Sequence, residues 1–525
     1  MRTSRGSWSV AGLVAGFAGL AVSYCVAMVL TTRDAPLTSV AEGVTRLTPG
    51  PVVERAIGVL GHWDKPVLLL MILLLSAALF AWAGLLARRW WWAPVIVYAV
   101  LALVGGIAVQ SQRGAGTIDL LPVAVGLATW LVCLSLLTEP LRRHEQATEP
   151  GAADPGLPAS PGPGTADHTR RTFLIRTGVV VAGAVVLGTV GRVVGTGRRH
   201  VEEARRLLRL PGVTEPRAPA GVRVGVEGVT PWVTPADAFY RIDTAFVVPT
   251  IDPDDWHLRI HGMVDREVML SYRELIARRV TQAWVTLNCV SNPVGGDLIG
   301  NAWWSGVRLA DLLEEAGVQP GADAVLQTSD DGWTCGTPLA ALTDDREAML
   351  AVAMNGRPLP IDHGFPVRTI VPGLYGYVSA CKWVVEMKVT RFADIEAYWT
   401  QRGWAEQGPV KIASRIDVPG DGGDVEASGG RVAGVAWAQR TGISSVEISV
   451  DDGPWQRAAL GRVPSVDTWV QWAATLDVEP GEHTLAVRAR DAHGEAQTGE
   501  VRDTVPDGAT GWHTIRFEAK ETVDG

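Results

Sequence analysis

The chain has 525 residues, a net charge of −9, 58 glycines and 32 prolines. That length calls for two or three folded units, the acidic balance gives no basis for nucleic-acid binding, and five cysteines spread over it are too few for a disulfide-built scaffold. Apolar runs near 8–30, 66–86, 92–110, 118–138 and 173–195 are each about the ~20 residues that cross a bilayer. Arg2 and Arg5 precede the first run, Arg88-Arg89 separate the second and third, and Arg142-Arg143 follow the fourth. By the positive-inside tendency those flanks are cytoplasmic, although Arg33, Arg46, Arg55 and Lys65 lie in the outer segments. Residues 1–145 thus read as a four-helix transmembrane region, and the Pro-, Ala- and Gly-rich stretch 146–168 as a cytoplasmic linker.

Residues 169–200 open with Thr169-Arg170-Arg171-Thr172-Phe173-Leu174 and continue into the fifth apolar run. This opening hexapeptide is similar to a twin-arginine export signal, placed internally; it also serves as an ordinary positive flank. Either way, the chain beyond about 200 is expected outside the cytoplasmic membrane. Three cysteines, Cys289, Cys335 and Cys381, fall in this exported part and cannot all pair with one another.

From 215 to 400 strand-like and helical runs alternate. Trp256–Ile260 predicts a strand; Leu309–Ala316, apolar at i, i+3, i+4 and i+7 with Gly317 after it, predicts a helix and its stop. From 405 to 520 helical periodicity disappears. Val446–Val450 alternates, Asp452-Gly453 predicts a hairpin turn, and His483–Arg490 alternates again. The fold class expected is multi-domain: a transmembrane helical bundle, an α+β domain, and a β-sandwich of immunoglobulin type suited to packing or dimerisation.

Within the α+β region Cys289 stands in Thr286-Leu287-Asn288-Cys289-Val290-Ser291-Asn292, with no second cysteine within about forty positions. Structural zinc and iron–sulfur sites need several cysteines at fixed spacings. A solitary cysteine before Pro293-Val294-Gly295-Gly296 suits a nucleophile, or the one protein ligand of a metal held otherwise by a cofactor; a lone cysteine is also often an inert core residue.

Phe239-Tyr240, the Thr286–Asn292 run, His363-Gly364-Phe365-Pro366-Val367-Arg368, Val371-Pro372-Gly373, Lys382-Trp383 and Gly434-Val435-Ala436-Trp437 stand in an order and spacing that resemble the molybdopterin-dependent oxidoreductases of the sulfite oxidase type. The resemblance covers about 225–515. It implies a single molybdenum held by the pterin dithiolene, for which Cys289 is the protein's metal ligand and a catalytic residue, followed by Asn292 at the cofactor. Arg368, Lys382 and His363 would bind the cofactor phosphate, through a planar fork, a point charge and a ring N–H. Tyr240 and Arg241 would border the pterin, Ser329 and Asp331 would line it, and Ser379 would begin the segment around the phosphate. Trp333 occupies the place of an active-site tyrosine and joins Arg241 among the catalytic residues; Trp303 and Trp304 are further candidate walls.

Two departures bear on substrate. Arg241-Ile242-Asp243-Thr244 replaces a segment ending in Arg-Asn-His, and Pro293–Gly296 replaces arginines after the Cys-x-x-Asn element. A small dianion such as sulfite wants several cationic donors. The expected activity is oxygen-atom transfer on a small oxo-substrate, sulfite oxidase-like. A sulfoxide reductase of the same family, a non-catalytic membrane receptor or scaffold, and a cysteine hydrolase using Cys289 stand as alternatives. The five spans hold no histidine and the exported part no CxxCH, so neither haem nor an iron–sulfur cluster is expected. The expected partners are membrane lipid, a separate cytochrome or quinone for electron transfer, and a second copy through the C-terminal domain.

Overall fold

The computed structural model describes residues 4–30, 34–60, 63–148, 164–194 and 197–521. Arg2, Arg33, His62, most of the linker, and the side chains of Thr169 and Arg170 lie outside the described residues. The chain divides into two compact units: Met1–His200 with Ala245–Pro249, and Val201–Thr244 with Thr250–Gly525.

Among the described residues the first unit contains five helices long and apolar enough to cross a membrane: Arg5–Val29, Asp64–Ala87, Trp92–Gln110, Thr117–Glu145 and Arg171–Gly191. Small residues let them approach closely. A Cβ at Gly12 would collide with the Phe80 carbonyl and Gly84, so Arg5–Val29 and Asp64–Ala87 touch backbone to backbone there. Around that contact Trp8, Phe80, Tyr98 and Trp130 form a buried aromatic core, with Trp130 Nε1 donating to Gly16 O at 2.8 Å. Between the first two spans the chain forms two shorter helices, Pro36–Leu47 and Gly50–Leu60, which carry Arg46 and Arg55.

The second unit holds one mixed sheet, one antiparallel sheet and a sandwich. In the first sheet Val268–Ser271, His257–Gly262, Val384–Thr390, Ala324–Ser329 and Thr334–Pro338 lie side by side, with only His257–Gly262 and Val384–Thr390 parallel. In the second, Thr281–Asn288 is an edge strand beside Ile299–Arg308, then Met349–Met354, which also pairs with Arg368–Ile370. Leu309–Ala316 is the expected helix. Its Leu309, Leu312, Leu313 and Ala316 enter the core, and Gly317 ends it with φ 70°, a left-handed value glycine adopts without strain.

The sandwich pairs a four-stranded sheet (Ala413–Val418, Ser428–Trp437, Val470–Asp477, Ala459–Leu460) with a five-stranded one (Gly423–Glu426, His513–Lys520, Gly481–Asp491, Ile443–Val450, Gln456–Arg457). Inward residues of both, among them Val446, Val470, Trp472, Leu485 and Phe517, share one core. The tight turn after Val450 is one residue earlier than the sequence pattern puts it. Asp451 and Asp452 take φ 50° and 56°, and Gly453 N donates back to Val450 O at 2.8 Å. Asp451 is held there because its carboxylate accepts from Thr484 N at 2.8 Å. The sandwich meets the rest of its unit through Trp232 and Trp469, whose indole N–H groups donate to each other's carbonyls at 3.2 and 2.9 Å, packed with Ile299, Val435 and Trp437. Removing either indole would cost about 3–5 kcal/mol.

Candidate cofactor site

The edge strand Thr281–Asn288 delivers Cys289 at its end. Cys289 N donates to Leu298 O at 2.9 Å, Asn292 N donates to Cys289 O at 3.1 Å, and Leu298 N donates to Asn292 Oδ1 at 3.0 Å. The Asn292 side chain therefore closes the loop that carries the cysteine. Cys289 is a free, buried thiol. Burial pushes it up, and hydrogen bonds involving Ser291 pull the other way without prevailing. A hydrolytic nucleophile needs the opposite shift, from a neighbouring base or cation. A metal ion would instead deprotonate the thiol by its own charge.

A second group of residues is built around the strand Arg368–Ile370. His363 ends a short 3₁₀ turn, Gly364 follows with φ 105°, and Arg368 pairs across to Lys382. Arg368 is buried. Its Nη1 donates to His363 O at 3.1 Å, its guanidinium lies 5.2 Å over the Trp304 ring, and its Nε has no partner. Burial without a paired carboxylate pushes it down to about 10. Lys382 Nζ donates to Asp243 Oδ2 at 2.9 Å and to Asp362 O at 3.3 Å. Burial outweighs Asp243 and leaves it at about 8. The His363 ring faces the main chain. Its ring Nε2 lies 2.9 Å from Ala236 O, and burial with the neighbouring cations lowers it to about 4. The ring is thus neutral, its N–H is spent on a backbone carbonyl, and Nδ1 is left as an acceptor.

Other predicted residues connect these two groups. Phe239 packs edge-on against both Trp304 and His363 at 5.8 Å, and Tyr240 stacks on Phe239 at 5.2 Å. Burial, then the charge of Cys289, pushes the Tyr240 phenol up while Arg368 pulls it down, so this phenol is coupled to both the thiol and the guanidinium. Arg241 is nearly half exposed and engaged by Asp243 at 3.1 Å and Asp362 at 3.5 Å. Ser329 ends the strand Ala324–Ser329; its N donates to Trp333 O at 2.9 Å while Asp331 Oδ1 accepts from Trp333 N at 3.0 Å. Asp330 N donates to Trp383 O at 2.8 Å, which brings this loop to Lys382. Trp383 holds φ 52°, a strained value for a bulky residue, with its indole N–H on Ile361 O at 3.1 Å. The Ser379 hydroxyl is spent on the Leu374 and Tyr375 carbonyls at 3.0 Å, leaving only its main chain to offer a ligand. Trp303 packs against Trp284 at 5.2 Å.

The sequence pattern did not single out Asp243 or Asn288. Asp243 had a signal, its place in the segment that departs from the sulfite oxidase pattern. Asn288 precedes the cysteine, and its buried Oδ1 has no partner. Ser329 Oγ is likewise buried and unpartnered. Among the described residues no three or more His, Cys, Asp or Glu gather to hold a metal ion, so a metal at Cys289 must bring other ligands with it. One soft thiol, two buried cations and three unpartnered polar atoms fit a group with a soft metal at one end and an anion at the other.

Residues 245–399 match the oxidoreductase molybdopterin binding domain. An uncharacterised oxidoreductase of Bacillus subtilis, YuiH, is 33% identical over 30% of this chain and 76% of its own length. Human mitochondrial sulfite oxidase is 28% identical over 49% of this chain and 55% of its own length. The chain thus spans about half the length of that relative. Among solved structures, the sulfane dehydrogenase SoxCD from Paracoccus pantotrophus aligns with a TM-score of 0.49 and 21% identity, over 62% of this chain and 92% of that one.

Proposed function

The chain belongs to the molybdopterin-binding oxidoreductases of the sulfite oxidase type, and from that premise we propose that it is a membrane-anchored enzyme acting on a small oxo-substrate outside the cytoplasm. The observation that carries the reading is the pairing, within one compact unit, of a buried lone thiol with two buried cations lacking full compensation. When bound, the molybdenum cofactor supplies two-electron oxygen-atom transfer. Cys289 would hold the metal as thiolate. Arg368 and Lys382 would neutralise the phosphate, Ser329 Oγ and Asn288 Oδ1 would meet polar edges of the pterin, and His363 would accept a hydrogen bond at Nδ1. Tyr240 and Trp333 would wall the site, and Arg241 at its exposed rim would orient substrate.

In this reading 215–400 is the cofactor domain, 405–520 an immunoglobulin-type dimerisation domain, and 1–145 with 169–200 the anchor, its twin arginines marking export. The exposed Trp90-Trp91-Trp92 run, with Arg142 4.5 Å over the Trp91 ring, supports a membrane–water boundary beside the arginines assigned to the inner side. With molybdenum as the only redox metal, electrons pass to or from a separate cytochrome or quinone.

A second reading, reduction of a neutral sulfoxide, is favoured by one observation. A small cleft beside the Cys289 loop, lined by Asn288, Asn292, Val294, Tyr375, Ser414 and Trp437 among others, has no charged side chain in its lining. Arg241 is moreover already engaged by two carboxylates. A dianion gains less from such a wall than a neutral oxide does.

Metal analysis of protein from a cofactor-making host, with dye-linked assays in both directions, tests the proposal. Stoichiometric molybdenum and turnover of sulfite or of a sulfoxide support the corresponding reading. Protein without molybdenum supports a receptor or scaffold instead. Protease digestion of sealed spheroplasts, with Arg170-Arg171 intact or replaced by lysines, tests export: unchanged cleavage in the variant removes the twin-arginine route.

A further inference from the structure

The loop that carries Cys289 is short of side chains able to hold it, since Pro293-Val294-Gly295-Gly296 has only backbone to offer. The β-sandwich grips both arms of it. On the arm before the cysteine, Thr286 lies on the edge strand. Its N–H donates to Asp467 O at 2.9 Å, its carbonyl accepts from Gln439 Nε2 at 2.6 Å, and its Oγ1 accepts from Trp469 N at 2.8 Å. On the arm after it, Arg415 Nη1 donates to Gly296 O at 2.7 Å. The same guanidinium is fixed by Asp417 Oδ1 at 2.7 Å and Thr230 Oγ1 at 2.8 Å, and Thr230 N donates to the other Asp417 oxygen at 3.0 Å. His513 packs directly on Gly295, where φ is 77° and any Cβ would strike the imidazole. Its Nδ1 accepts from Ile416 N at 3.0 Å, which sets the ring's orientation.

The tryptophan cluster joins the sandwich to the rest of the unit independently of this arginine. A buried Arg415–Asp417 pair costs desolvation and adds little net stability over apolar packing. Its geometric effect is to fix one carbonyl, that of Gly296. We propose that the β-sandwich is a clamp setting the position of Cys289, with Arg415 and Gln439 as positioning residues acting through Gly296 and Thr286. The catalytic consequence rests on Cys289 being the metal ligand; the clamp itself does not.

The test uses full-length protein in detergent, made without cofactor, and follows alkylation of Cys289 by mass spectrometry, with the buried Cys335 and Cys381 as internal references. Losing a charged hydrogen bond to the loop in Arg415→Met should speed Cys289 labelling by roughly ten- to a hundredfold. Arg431→Met is the control, because that arginine ties the sandwich to the carbonyls of Gly225 and Val224 at 3.1 and 3.2 Å, away from the loop. It should label at the wild-type rate. In loaded protein, Arg415→Met should shift the metal–thiolate absorption and lower kcat more than it raises KM. Wild-type labelling of a folded Arg415→Met, or equal acceleration by Arg431→Met, would overturn the clamp. Accelerated labelling with unchanged absorption and kcat would leave the clamp standing and remove Cys289 as ligand. If Arg415→Met does not accumulate, Gln439→Met reads the other arm by the same measure.

Discussion

The two ends of the site are held in opposite ways. Around Arg368 the chain supports itself: the carbonyls of His363 and Ala380 accept from the guanidinium and a backbone bridge to Lys382 fixes the strand, all within twenty residues, and the charge present is more than the carboxylates there offset. Around Cys289 no cationic residue occurs from Val280 to Val307, and beyond the local closure by Asn292 support arrives from Arg415 and Gln439, more than a hundred positions away. An anion-recognising end needs surplus positive charge, which local hydrogen bonds can orient. A soft-ligand end needs only one atom in one place, and distant packing can supply that.

The sharpest way to break this comparison is to remove the sulfur atom proposed as the ligand. Cys289→Ser should leave a folded protein that has lost turnover by more than the roughly 10–100-fold typical of changes to a ligand's outer partners, because a hydroxyl is a harder donor. Cys335→Ser and Cys381→Ser should be far milder. Substantial activity in Cys289→Ser would mean that the thiol is core packing and nothing more.

The anion end predicts two effects of opposite sign. Arg368→Met should lower cofactor occupancy by about ten- to a hundredfold, since its charged hydrogen bonds to an anion are lost. The cofactor-free variant should unfold at the same temperature as the parent or higher, because burial already disfavours the arginine's charge. Parallel losses of occupancy and stability would show Arg368 to be structural.

How far the sequence revealed these ends follows from the range of the interactions. The helix Leu309–Ala316 was legible because its apolar spacing and its glycine stop are local signals. His363, Arg368 and Lys382 were legible as a spacing, yet the direction of the His363 ring depends on Ala236, 127 positions away. Arg415, Gln439 and His513 were invisible: each looks like an ordinary strand or turn residue of a sandwich, and its partner lies in another part of the chain. Pro36–Leu47 and Gly50–Leu60 gave no signal of a span because they are 12 and 11 residues long, short of the roughly twenty that cross a bilayer.

A smaller effect sharpens the anion end through pH. Lys382 sits at about 8 in the folded chain, below its ordinary value near 10.4. Between those values the unfolded chain holds a proton that the folded one lacks, so this residue makes cofactor-free protein more stable as pH rises through the window. Over the same window its charge disappears and binding of inorganic phosphate should weaken. Thermal unfolding at pH 7.5 and 9.5, compared between wild type and Lys382→Met, should show a gain of a few degrees present only in the wild type. An identical response in both proteins would place Lys382 outside the titration.

The smallest effect lies where the comparison predicts none on the site. In the sandwich, His483 Nδ1 meets Asp451 Oδ2 at 2.6 Å at the turn that departs by one residue from its sequence signal. The hydrogen bond to Asp451 raises His483, and bonds from Thr484 and His483 lower Asp451. A raised histidine contributes stability that is fully present below its ordinary value near 6.5 and is lost as pH climbs through the raised one; a lowered aspartate contributes above its ordinary value near 3.9 and loses it as pH falls. The pair therefore acts between about pH 4 and somewhat above 6.5, and partial exposure of Asp451 limits it to a few tenths of a kcal/mol. His483→Gln should flatten the stability–pH curve across that window and leave kcat and Cys289 labelling unchanged. A change in either site readout would mean that the clamp extends to the far sheet of the sandwich, and that stiffness of the whole domain, rather than Arg415 and Gln439, positions the thiol.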